Sequence, residues 1–177
     1  MSKQLFLAAA LLALTGAARA ETHCGEFTRD LSAVAEICAY HEGYAPFLID
    51  GGWGFLDRDG RVAVAPKYDE ITPFSEGLAA VAIDERWGYV DTGGKERIAP
   101  QFDDAGTFSE GLAPVRKDQA VGYIDPNGRW VIEPAFRYGA PFAHGVALVV
   151  DADKRSRLID RSGKVVHDFG ASTDVER

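Results

Sequence analysis

The pentapeptide Trp53-Gly54-Phe55-Leu56-Asp57 returns 34 residues later as Trp87-Gly88-Tyr89-Val90-Asp91. It returns again, 34 further on, as Val121-Gly122-Tyr123-Ile124-Asp125. A fixed period of this length means one supersecondary unit copied in tandem. Each copy buries its apolar face against its neighbours, so the chain grows as an array and not around one central cleft. Such a chain is expected to be a scaffold that presents a surface, not an enzyme.

The period can be followed position by position. After each Trp-type start comes a turn glycine, at Gly60, Gly94, Gly128 and, one residue late, Gly163. Pro66, Pro100 and Pro134 follow, then Phe74, Phe108 and Phe142, then Gly77, Gly111 and Gly145. The first strand of a unit is short and rich in aromatic and β-branched residues. Asp57, Asp91, Asp125 and Asp160 each stand three residues before the turn glycine, the signature of a type I turn, with Pro126 at its second position. A second strand is expected over 61–65, 97–99 and 129–133, ended by the proline. A third is expected over 78–83, 112–116 and 146–150. The link between them reads as an ordered loop whose aromatic rings tuck under the sheet. Half-units at 42–45 and 157–160 open and close the array.

The segment ahead of the repeats has another character. Lys3, the apolar run 5–14 and Ala18-Arg19-Ala20 have the form of a signal peptide ending at residue 20. The run is too short to span a bilayer, which takes about 20 residues. No membrane anchor is expected once it is removed, and the mature protein is expected to be periplasmic or secreted. Between Thr28 and Tyr40, Leu31, Val34, Ala35 and Cys38 recur at helical spacing, which predicts a short helical cap within 21–41. Cys24 and Cys38 are the only cysteines, and in an oxidising compartment they are expected to form a disulfide. A zinc site from His23, Cys24, Cys38 and His41 is the alternative. It requires adjacent residues to turn toward one ion, so no metal is expected. The array proper is placed at 42–166 and a C-terminal tail at 167–177.

Without Lys3 and Arg19, 17 basic residues face 27 acidic ones, a net charge of −10. That sign excludes nucleic acid and anionic membranes as expected partners.

The Trp-Gly-aromatic-aliphatic-Asp strand, the Gly turn, the Pro-x-aromatic-Asp step and the Phe-Ser-Glu-Gly-Leu-Ala return together resemble the WG (KWG) repeat family. The resemblance covers roughly 42–165. It implies β-rich repeats in bacterial proteins that are commonly exported, and it carries over no catalytic residue. Val121 in place of Trp, and Ser156-Arg157 in place of Trp-Gly, depart from the pattern.

The chain offers little chemistry. Asp57 to Gly60 hints at calcium, yet each turn supplies only one or two oxygens where an EF-type loop needs more. Glu76 and Glu110 are copies in equivalent surroundings, with nothing to separate their acidities as an acid/base pair requires. They read as solvated turn positions, and Ser75 and Ser109 as turn hydroxyls. No Gly-x-Ser-x-Gly elbow or phosphate-cradling glycine loop is present in the sequence. No cofactor is expected.

The expected fold is all-β: a tandem array of three-stranded antiparallel units behind a helical cap. The expected function is non-enzymatic binding of a protein or peptide in the cell envelope, with a glycan on an aromatic ladder as the alternative. Trp53 and Trp87 belong more naturally to the core. Trp130 stands where other units have Val62 and Glu96, and His144 where they have glutamate. These four are the candidate contacts, Trp130 as an exposed one.

Overall fold

The computed structural model describes residues 34–171. Every regular element among them is a strand, and the strands form four sheets, each a simple antiparallel meander. Sheet one joins β1 (Val34–Ile37), β2 (Ala45–Ile49), β3 (Gly52–Leu56) and β4 (Val62–Tyr68). Sheet two joins β5 (Glu70–Ile71), β6 (Leu78–Ile83), β7 (Arg86–Asp91) and β8 (Glu96–Phe102). Sheet three joins β9 (Asp104–Ala105), β10 (Ala113–Lys117), β11 (Ala120–Ile124) and β12 (Trp130–Phe136). Sheet four joins β13 (Tyr138–Gly139), β14 (Val146–Val150), β15 (Arg155–Asp160) and β16 (Val165–Ala171).

The units are therefore four-stranded, not three-stranded. The added strand lies in the link read from sequence as a loop. Glu70 pairs with Ala82 and Ile71 with Val81; Asp104 pairs with Arg116 and Ala105 with Val115. Two residues of ladder leave no alternation to detect, which is why the strand is invisible to periodicity. Repeated four-stranded meanders of this kind are the blades of propeller-like folds. No ring pair, hydrogen bond or ion pair joins sheet one to sheet four among the described residues.

The helical cap is corrected where it is described. Val34–Ile37 is a strand, with Val34 opposite Ile49 and Ile37 opposite Phe47. Completing the first meander outweighs the helical spacing, and Val34 and Ile37 are β-branched residues at home in a strand. Residues 28–33, Cys24 and the signal segment lie outside the described residues. At the other end β16 reaches Ala171, so the array takes in the first residues of the expected tail.

The glycine of the Trp-Gly pair has a steric cause. A Cβ on Gly88 would lie 2.4 Å from the Ile98 carbonyl oxygen and 2.7 Å from the Pro100 nitrogen. The register shifts there, from Trp87 opposite Phe102 to Tyr89 opposite Ile98, so three residues including the proline bulge toward the glycine. Proline suits a bulge because it has no N–H to give the ladder. The Asp turns form as their spacing predicts. Asp91 Oδ1 accepts from the N–H groups of Gly93 and Lys95, and Gly94 donates to the Asp91 carbonyl.

Successive sheets meet at three seams. At each, a ring of the earlier unit packs on the phenylalanine leading into the next: Phe55 on Phe74 at 4.4 Å, Tyr89 on Phe108 at 4.9 Å, Tyr123 on Phe142 at 5.0 Å. Val64, Ile98 and Ile132 from the earlier sheets close on Ala79 with Val81, Ala113 with Val115, and Ala147 with Val149. Each ring buried this way contributes roughly 2 kcal/mol.

Polar ties cross the same seams. The Tyr89 hydroxyl donates to the Gly106 carbonyl at 2.7 Å, and that of Tyr123 to the Ala140 carbonyl at 2.8 Å. Ser75 Oγ donates to the Phe108 carbonyl and Ser109 Oγ to that of Phe142. Glu42 accepts from the N–H groups of Glu76 and Gly77, Glu76 from Gly111, and Glu110 from Gly145. Glu76 and Gly77 both have left-handed φ, 54° and 76°, so this two-residue turn directs its N–H groups outward to the preceding unit. The expectation of solvated carboxylates and local turn hydroxyls is thereby corrected. These residues fasten one unit to the next.

Candidate functional site

The residues singled out by sequence are dispersed. Trp53 is half-buried against the first seam. Trp87 and Trp130 are both half-buried against the second. The Trp130 ring stands edge-on to Phe102 at 5.9 Å, and its edge also covers Gly122. Trp130 is therefore less exposed than expected, because the flat surface left by Gly122 lets the ring lie against the seam. His144 is exposed in the tight turn, with φ of 54°, in line with Glu42, Glu76 and Glu110. The structure does not bring these four side chains to one site. Cys38 donates its N–H to the Pro46 carbonyl, while Cys24 lies outside the described residues. No cluster of metal-ligating side chains occurs among the described residues.

The third seam is where departures from the repeat converge. The strand-start residue and its counterpart on the short strand of the next unit shrink along the array: Trp53 with Ile71, Trp87 with Ala105, Val121 with Gly139. At the third seam both are small. A Cβ on Gly139 would lie 3.0 Å from Val121 Cγ1 and 2.7 Å from the Tyr123 hydroxyl, so the backbone itself approaches the sheet. Beside it lies a half-open cavity of about 160 Å³ lined by Pro114, Val121, Tyr138, Gly139 and Pro141, with Asp104 and Arg116 on its wall. That is close to the roughly 150 Å³ that holds a benzene-sized apolar group. Burial, and after it the nearby Tyr138 phenol, pushes the Tyr123 hydroxyl far above the ordinary tyrosine value. It stays protonated and fixed as a donor to Ala140.

The charge beside this cavity is also reversed. Asp69 and Asp103 cap the tight hairpins of their units, accepting from the N–H groups of Asp84 and Asp118, each at 2.9 Å. Arg137 holds that position in the fourth unit. The hairpin there is closed by its own Asp151, which accepts from Asp153 and Arg155. Arg137 is thus released from capping, and its guanidinium has no hydrogen bond or ion pair among the described residues. It lines a cleft with Asp103, Arg116, Gln119 and Ala152. Arg116 belongs to both cleft and cavity, and its Nη2 stands 3.8 Å from Asp104 Oδ2.

This arrangement can hold an apolar group next to an anion. Its lining residues include no paired nucleophile and base. Sequence reasoning noted Val121 but passed over Arg137, Tyr138 and Gly139, since the link was read as a loop. The signal was present: Arg137 aligns with Asp69 and Asp103, Tyr138 with Glu70 and Asp104, Gly139 with Ile71 and Ala105.

Known proteins resemble the chain chiefly in its repeats. A family model described as WG containing repeat matches residues 53–87, 87–119 and 122–154. No curated protein matches the sequence. Among solved structures, Hsv2 from Kluyveromyces lactis is similar with a TM-score of 0.56 at 11% identity, over 80% of this chain and 52% of that one. The computationally designed Ika8 protein gives 0.53 at 16% identity, over 77% of this chain and 49% of that one. The chain spans about half the length of these structures, and the likeness is one of fold.

Proposed function

The chain belongs to the WG-containing-repeat family, and on that premise we propose that it is a non-enzymatic scaffold that binds a protein or peptide segment at its third seam. One observation carries the reading. Val121, Arg137, Tyr138 and Gly139 all depart from their repeat positions, and all face the same seam. Scaffold requirements fix the repeated residues, so coincident departures mark a place with another task. Tyr138 is 51% exposed at the cavity edge, where an aromatic ring and a polar tip suit an interface. The glycan reading has less support, because Trp53, Trp87 and Trp130 are each half-buried against a seam.

Export belongs to the same proposal. The signal peptide form of residues 1–20 and the pairing of Cys24 with Cys38 both suit the cell envelope. A disulfide closing this loop stabilises by roughly 3 kcal/mol in the chain-entropy model. The intact mass of the native protein should be two hydrogens below that of the reduced form. Complete thiol alkylation without reductant contradicts the pairing.

Binding at the seam is tested by a benzophenone side chain placed at position 138 and, separately, at position 70. Photolysis in envelope extract is expected to capture a protein through position 138 only. Equal capture at both positions, or recovery of glycan alone, contradicts the proposal.

A further inference from the structure

Resting on the seam reading above, we infer that the third seam recognises the free C-terminal end of a peptide whose last residue is apolar. The side chain enters the cavity, and the carboxylate lies on Arg116 and Arg137. The cavity and the cleft share Arg116 as a common wall, so the apolar volume adjoins a cleft lined by Arg116 and Arg137 and by Asp103, whose carboxylate is already engaged by Arg86 and the Asp118 N–H. A C-terminal residue suits this because its side chain and its carboxylate spring from the same Cα. An internal acidic residue places charge and apolar surface on different residues.

The chemistry of each wall agrees. A cavity of about 160 Å³ accommodates a branched aliphatic side chain or a phenyl ring. Guanidinium groups present paired N–H donors that match a carboxylate. The Arg137 guanidinium is uncommitted among the described residues. Arg116 is held by Asp104 only at 3.8 Å, in a pair 37% and 59% exposed. Exposed pairs of this kind contribute little, so Arg116 can exchange Asp104 for a ligand. Asp103 is paired with Arg86 and Asp104 with Arg116, so Arg137 is the cation left over at this opening, where it attracts an anion against the protein's net charge of −8.

The test is calorimetric titration of the purified protein with a short peptide ending in leucine, as free acid and as C-terminal amide. The acid is expected to bind, and the amide to bind at least about tenfold more weakly, as loss of a charge-assisted contact implies. Arg137→Gln is expected to weaken the acid by about tenfold. Val121→Trp fills the cavity with the side chain that Trp53 and Trp87 place at that position, and is expected to abolish binding while unfolding stays cooperative. Arg61→Gln, in the exposed turn of sheet one, should leave binding unchanged. Equal affinity for acid and amide overturns the carboxylate assignment. Binding that survives Val121→Trp overturns the cavity. Free leucine binding as tightly as the peptide makes the ligand an amino acid and overturns the peptide end. If no peptide binds while position 138 still captures a protein, this inference fails and the seam reading stands; if neither occurs, both fail.

Discussion

Single residues carry the constraints that make the repeat legible. Gly88 is glycine because the bulged strand beside it leaves no room for a methyl group, with the Ile98 carbonyl 2.4 Å from where Cβ would be. Gly88→Ala is expected to cost about 3 kcal/mol through forced backbone shifts. A thermal melt would read this as a fall of several degrees. The turn aspartates predict the acid response. The Ser162 hydroxyl first, and then backbone N–H groups of Ser162 and Lys164, hold the Asp160 carboxyl below its ordinary value of 3.8. At Asp168 the Gly170 N–H leads, followed by Arg155 and Arg157. Depressed carboxyls contribute stability above the unfolded value and lose it as pH falls through the folded one. Melting temperature should therefore fall as pH drops below about 3.8. Asp160→Asn cannot titrate, so its melting temperature should fall less over that range. An equal fall in both proteins contradicts the assignment.

At the scale of elements, the strands starting at the Trp positions and the Asp–Gly turns were readable because side-chain alternation and turn chemistry are local. The fourth strand was not. Glu70–Ile71 and its equivalents span two residues each, and only pairing with the following strand defines them. Nor did the sequence disclose that Ser75, Ser109, Glu76 and Glu110 reach across to the next unit, since a hydroxyl that closes a turn and one that ties two units look alike in one dimension. Helical spacing misled at Val34–Ile37 for a related reason: strand pairing of these residues with β2 is a tertiary demand that local pattern does not contain. The seam ties make a direct prediction. Tyr123→Phe leaves the ring but strands the Ala140 carbonyl, at a cost of about 1–3 kcal/mol. Ser109→Ala should cost about 1 kcal/mol. Urea midpoints lowered at unchanged slope would confirm both, and unaltered midpoints would show that the ties contribute nothing.

For the whole molecule, the repeat proved to be a frame against which exceptions can be read. Trp130 and His144 were visible as exceptions but do not share a site: one fills a seam and the other ends a ladder of carboxylates. Val121, Arg137, Tyr138 and Gly139 do share one, and three of them sat in a segment whose register the sequence left open. The frame also explains why filling the cavity should be tolerated. Val121→Trp restores the repeat residue, so a folded protein without binding is the outcome that separates function from scaffold. The most direct measurement is hydrogen–deuterium exchange on the protein with and without its captured partner. Slowed exchange is expected at 104–106 and 137–141, with the equivalent 70–72 of the first seam unchanged. Protection spread evenly over the three seams, or confined to sheet one, would contradict it.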